Sequence, residues 1–231
     1  MISNHKYYKS DSIEKGRKIK AFFNDFCEQI FKDNEKYLKT HNEVYNYYDS
    51  PYLHKEKTCM PMMAVSLSKI TDMFLPEPAF KTKNGTRRYI DLWCSYENIS
   101  YFMEAKHGWY CLGSNSKNEP TTGTTSSFKT MQQQIQDIKH IEDAQDWEEH
   151  TVPMGIMVVV GYYKTKNQCS EEFTHKTMVD EFAKLITPED GIQLLSNTYE
   201  FPKKVIKGFE ENEDNTNSYK FITILGTVLT Y

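Results

Sequence analysis

The chain has 231 residues, 39% apolar and 14% aromatic, enough to fill one sizeable core, and with no internal repeat or linker it reads as a single domain over 1–231. Its longest strongly apolar run, near Met154 to Tyr163, is far short of a membrane span, and the start MISNHKYYKSD has no apolar signal core, so a cytoplasmic protein with no membrane partner is expected. A formal charge of -4 argues against binding polyanions by net charge alone. Five cysteines, at 27, 59, 94, 111 and 169, are odd in number and form no C-x-x-C pair, so neither a disulfide framework nor a zinc knuckle is indicated.

From Ser12 to Phe31, Ile13, Ile19, Phe22, Phe23, Phe26, Ile30 and Phe31 recur at helical spacing behind an Asp11 or Ser12 cap, which predicts an amphipathic helix. With the Tyr-rich segment 37–52 it makes a helical extension over about 1–55, ahead of a core over about 56–195. A second helix is expected from Glu56 to Met73, with Pro61 tolerable near its first turn. Leu75-Pro76-Glu77-Pro78 reads as a break. Three antiparallel strands follow, Ala79 to Lys83, Arg87 to Tyr96 and Ile99 to Trp109, joined by an Asn84-Gly85 hairpin and a tight turn at Glu97-Asn98. Gly113 to Ser127 lacks apolar side chains and reads as a flexible loop. Next come a helix from Phe128 to about Ile141 and a central strand, Val152 to Tyr163, covered on both faces. A helix from Glu171 to Ile186 and a short apolar stretch, Ile192 to Leu195, complete a crossover unit, and Tyr219 to Tyr231 is β-rich.

The chemistry concentrates between Arg87 and Trp109. Asp91 lies on the middle strand of the meander, and Glu104 and Lys106 lie two apart on the next, so they share a face while Ala105 points to the other. Two Asp or Glu residues in the chain have a lysine two positions later. The other pair, Asp137/Lys139, falls in a helical pattern, where residues two apart diverge. The aromatic and apolar surroundings, ISYFMEAKHGW, make an idle charge costly, although a Glu–Lys ion pair on a solvated strand face would need no further role. Two acids able to hold a hard divalent cation, with a lysine beside them, suit phosphodiester hydrolysis.

Asp91, then Glu104-Ala105-Lys106, resembles the PD-(D/E)XK phosphodiesterase superfamily, the restriction-endonuclease-like nucleases, with Ile90 where the motif's proline would stand. The resemblance implies an α/β fold, a mixed sheet of an antiparallel meander plus a crossover strand flanked by helices. It further implies Mg²⁺, with Mn²⁺ as a substitute, held by Asp91, Glu104 and the Ala105 carbonyl, and Lys106 positioning or activating the attacking water. Glu56, on the helix before the strands, takes the position of a further acidic ligand, or is a solvated N-terminal glutamate. Gln134, beside the apolar stripe of the following helix, fits the slot of an additional active-site residue. Four residues after it stands Ile138, where the exonuclease branch carries a tyrosine, which favours an endonuclease.

Lys81, Lys83, Arg87 and Arg88 are either phosphate contacts or a solvated hairpin tip. The expected partner is DNA, with a homodimer left open. The alternatives are a nucleic-acid- or protein-binding module that keeps the fold without turnover and, last, a glycosidase, whose carboxylate pair needs no lysine.

Overall fold

The structure is a computed structural model describing residues 4–8, 16–82, 85–112, 118–138, 150–164, 174–187, 191–201 and 217–229. It is an α/β protein built on an open mixed sheet. The strands are β1 (Asn4–Tyr8), β2 (Met73–Pro76), β3 (Ala79–Lys81), β4 (Arg87–Tyr89), β5 (Leu92–Tyr96), β6 (Ile99–Cys111), β7 (Glu119–Pro120), β8 (Thr151–Lys164), β9 (Ile192–Glu200) and β10 (Asn217–Leu229). The helices are α1 (Gly16–Tyr45), α2 (Glu56–Leu67), α3 (Thr122–Ile138) and α4 (His175–Ala183). The main sheet has the order β1-β9-β10-β8-β6-β5-β2, with β7 on β6; β6 and β8 pair in parallel and the other ladders are antiparallel.

The apolar run in β8 is explained by cover on both faces. Met154, Ile156, Val158 and Val160 pack with α1 and α2, while Met157 and Val159 pack with Phe128 and Met131 of α3 and Phe182 of α4. Helix α3 therefore makes the crossover from β6 to β8. The expected unit from β8 through α4 to β9 is present, but β10 is inserted between those two strands and runs antiparallel to both.

Helix α1 runs on through the Tyr-rich segment to Tyr45, where Asn46 leaves the helix with φ 58. Its Phe22, Phe23, Phe26 and Ile30 are wholly buried, and Phe22 stacks on Tyr101 of β6 at 3.9 Å between ring centroids. At roughly 1.5–3 kcal/mol for each such side chain, this segment is a major part of the core it was read as preceding.

Helix α2 stops at Leu67, short of the expected end at Met73, and residues 73–76 join the sheet as its edge strand, where a break had been expected. Pro61 lies inside α2, beyond its first turn, on the exposed side. A buried network fixes α2 to α1, with Ser66 Oγ donating to Asp33 Oδ2 at 2.9 Å and Lys69 ion-paired to the same carboxylate. Helix α3 begins inside the segment read as a loop, because Thr121 caps it, its Oγ1 accepting from the Thr124 N–H at 3.3 Å. Residues 113–117 of that segment, and Ile141, lie outside the described residues.

The strand expected from Arg87 to Tyr96 is broken at Ile90 and Asp91. Pro76 and Pro78, on the facing strand, have no N–H to give a regular ladder, and Glu77 between them takes φ 49. Pairing passes through an irregular step, in which the Glu77 N–H donates to Asp91 O at 3.0 Å and the Ile90 N–H to Pro78 O at 3.2 Å. Beyond it β3 and β4 form a separate two-stranded arm closed by Gly85 with φ 79.

Candidate active site

The break shapes the site. Strand β5 covers the first part of β6, and its ladder ends where Leu92 faces Met103. Continuing that register by one residue sets Asp91 opposite Glu104. Past this point Ala105 turns its backbone groups to an edge that no strand among the described residues covers, and such groups need partners. Asp91 Oδ2 accepts from the Ala105 N–H at 2.7 Å, and Lys106 Nζ donates to the Ala105 carbonyl at 2.8 Å. Farther along, Thr124 Oγ1 of α3 accepts from the Trp109 N–H at 2.6 Å, so the first turn of α3 closes the edge there. Gly108 permits this approach, since a Cβ at that position would lie 2.5 Å from the Thr124 side chain.

Lys106 is the centre of the cluster. Its ammonium lies 3.8 Å from Asp91 Oδ2 and 3.8 Å from Glu56 Oε1, within ion-pair range but too far for a hydrogen bond. Glu56 comes from the first turn of α2, which is placed over β6 by a second tie. His107 Nε2 is 3.1 Å from the carbonyl of Tyr52, in the short 3-10 turn Pro51–Leu53 that leads into α2. Burial holds the His107 imidazole below its ordinary pKa, so at neutral pH it is an uncharged strut.

Glu104 is 2% exposed. Burial raises its pKa to about 7, with Asp91 adding to the rise and Arg88 and Lys106 opposing it. Arg88 reaches inward from β4. One guanidinium nitrogen donates to the Gln134 carbonyl at 2.7 Å and lies 3.5 Å from Glu104 Oε1, and the other is 3.2 Å from Asp137 Oδ2. Burial likewise raises the Glu56 pKa, with Lys106 opposing and Asp91 adding.

Asp91, Glu104, Ala105, Lys106 and Glu56 are thus brought together from three separate segments. Gln134 is joined to them through Arg88 by its main chain, while its side-chain Oε1 is buried with no hydrogen-bond partner among the described residues. Arg88, read as a phosphate contact or part of a solvated hairpin tip, is half-buried and engaged with Glu104, because Phe80 opposite it on β3 packs on Phe102 and turns that face of the arm to the core. Lys81 and Arg87 are exposed on the arm, and Lys83 lies outside the described residues. Sequence reasoning set Asp137 aside with Lys139 as a helical pair and did not single out His107. Asp137 lies three residues after Gln134, one turn along the same helix face, and that was the signal available.

The donor set is chemically suited to a hard divalent cation: carboxylate and carbonyl oxygens, with two acids whose pKa values are raised chiefly by burial and further by the charge of Asp91. Among the described residues, however, no three His, Cys, Asp or Glu side chains stand together as a ready-made metal site. Lys106 and Arg88 stand beside these acids as cationic partners. Compared with family models, curated proteins and solved structures, the chain matches none.

Proposed function

We propose that this protein is a divalent-metal-dependent phosphodiesterase of the restriction-endonuclease-like kind, with DNA as substrate. The observation that carries this reading is the position of Lys106 Nζ, 2.8 Å from the Ala105 carbonyl and 3.8 Å from both Asp91 and Glu56, beside buried Glu104. Four charged side chains scattered through the sequence converge on one stretch of strand edge.

Asp91, Glu104, Glu56 and the Ala105 carbonyl are the residues that would hold Mg²⁺ or Mn²⁺. A divalent cation bound there supplies Lewis-acid polarisation of the phosphoryl group and makes water a better nucleophile. In the net reaction a water oxygen forms a bond to phosphorus, the bond from phosphorus to one ester oxygen breaks, and that oxygen takes up a proton. Lys106 donates one of its three N–H groups to the Ala105 carbonyl, which fixes the ammonium on a rigid strand; among the described residues the other two have no hydrogen-bond acceptor and are open to a ligand. Those donors suit the non-bridging phosphoryl oxygens, where negative charge grows in the transition state. Arg88 keeps Glu104 in place and opposes its protonation.

The test is single-turnover cleavage of plasmid, linear duplex and single-stranded DNA with Mg²⁺ or Mn²⁺. Lys106→Ala and Lys106→Met, the latter keeping the apolar stem, should each lower the rate by a factor on the order of 10² while leaving folding intact. Unchanged rates in both variants would reduce Lys106 to an ion-pair partner. A second reading, a binding module without turnover, is favoured by the cations already paired to the acids. It predicts nucleic-acid or protein binding with no cleavage under any of these conditions.

A further inference from the structure

A groove of about 700 Å³ opens beside Asp91 and Glu56, between α2 and the edge formed by β2 and β5. Ligand sites for small molecules span about 300–1,000 Å³, so this is ample for a single base and its sugar. Its walls are apolar, with Met60, Pro61 and Ala64 on the helix side and Phe74 and Pro76 on the strand side. Its charged groups are mostly acidic, because Glu56 and Asp91 line both the groove and the Lys106 cluster and Glu77 adds a third acid, against one cation, Lys57.

This distribution of charge selects among the parts of a nucleic acid. The sugar-phosphate backbone is anionic and would meet three carboxylates against one lysine, and it has less apolar surface than a base to set against the walls. An intact duplex shows its phosphates and the polar edges of its paired bases, while the faces of those bases are covered by their neighbours. An unpaired base is neutral and flat and has a bare face suited to an aromatic side chain. Phe74 supplies that side chain, and the shared carboxylates place the base beside the phosphate that Lys106 would engage.

We propose that the groove receives one unpaired base next to the scissile phosphate, so that the substrate is a single strand or a duplex carrying a single-stranded extension. The proposal rests on the phosphodiesterase reading given above. Phe74 is then a specificity-determining residue.

The experiment uses one sequence in three forms: a single strand, a blunt duplex and a duplex with a short single-stranded extension. Binding is followed by fluorescence anisotropy in Ca²⁺, and single-turnover cleavage in Mg²⁺. Wild type should bind and cut the two forms with unpaired bases in preference to the blunt duplex. Phe74→Ala should weaken binding of those two forms roughly tenfold, the scale of one lost base–aromatic stack. Phe74→Leu keeps apolar bulk for the fold and should show a similar loss, with Mn²⁺ affinity unchanged in both variants. If wild type prefers the blunt duplex and the Phe74 variants keep that preference, the groove assignment is overturned while the phosphodiesterase reading stands. If wild type cuts none of the three, both fall together. Dimerisation in sedimentation that Phe74→Leu abolishes would make the groove a contact between copies of the chain and overturn the proposal.

Discussion

Glu104→Gln isolates the electrostatic strain of the site. The carboxyl of Glu104 moves from an ordinary value of 4.5 to about 7 on folding, chiefly through burial. Below pH 4.5 both folded and unfolded chains carry the proton and the group makes no difference. As pH rises from 4.5 the unfolded chain ionises first, so stability falls until the folded carboxyl has ionised too, at about pH 7. At about 1.4 kcal/mol per unit the loss is roughly 3 kcal/mol, and Glu104 is buried deeply enough that little of it is screened. Glutamine keeps the shape and cannot ionise. The stability of Glu104→Gln relative to wild type should therefore rise by roughly 3 kcal/mol between pH 4 and pH 8, with other titrating groups cancelling in the difference. Urea denaturation across that range with a chelator present measures it. Mg²⁺ at pH 8 should then narrow the gap by stabilising wild type, since a bound cation favours the ionised carboxylate. A difference that stays flat from pH 4 to pH 8 would refute the reasoning, because Glu104 would then ionise as freely in the folded chain as in the unfolded one.

Asp91→Asn keeps an oxygen to accept from the Ala105 N–H while removing the charge, so the fold should hold and calorimetric titration should show Mn²⁺ affinity falling at least tenfold; equal affinity would remove Asp91 from the metal site. Arg88→Ala strips cationic partners from Glu104 and Asp137 and a donor from the Gln134 carbonyl, and should cost roughly 3 kcal/mol in urea denaturation at pH 8. The cost should be smaller at pH 5, where Glu104 is protonated; one independent of pH would mean that Arg88 acts through packing alone.

What was legible in the sequence was set by short-range rules. The helical spacing from Ile19 to Phe31 gave α1, the apolar run gave β8, and two-residue alternation put Glu104 and Lys106 on one strand with Ala105 between them. The turn at Glu97 and Asn98 has both residues at positive φ, 49 and 63, as a tight strand-to-strand turn requires. The misses depend on partners remote in the chain or, for α3, on a single local cap. Residues 4–8 form β1 because β9 offers an edge, although NHKYY carries little strand pattern of its own. The early start of α3 depends on one threonine cap in a segment whose composition reads as loop. The inward turn of Arg88 depends on Phe80 across the arm packing on Phe102, which no local pattern announces.

The break at Ile90 and Asp91 shows why fold and site could not be read separately. In an unbroken strand, the backbone beside Ala105 would pair with the neighbouring backbone, and the Asp91 carboxylate would not be needed there. Pro76 and Pro78 interrupt that pairing from the facing strand. The Ala105 groups are left to side chains, and the two nearest able to serve are an acid for the N–H and an ammonium for the carbonyl. Satisfying two edge groups thereby fixes Asp91 and Lys106 on the two backbone groups of one residue, Ala105, with Glu104 held by Arg88 next door. The rigidity asked of charge-stabilising groups comes here from the backbone they cap, since neither can move away without exposing a buried polar group on the strand. Around the donors that Lys106 has left stand the carboxylates of Asp91, Glu56 and Glu104, which repel a phosphate and attract a divalent cation, so phosphate binding to the metal-free protein should be weak and should strengthen when Mg²⁺ is added.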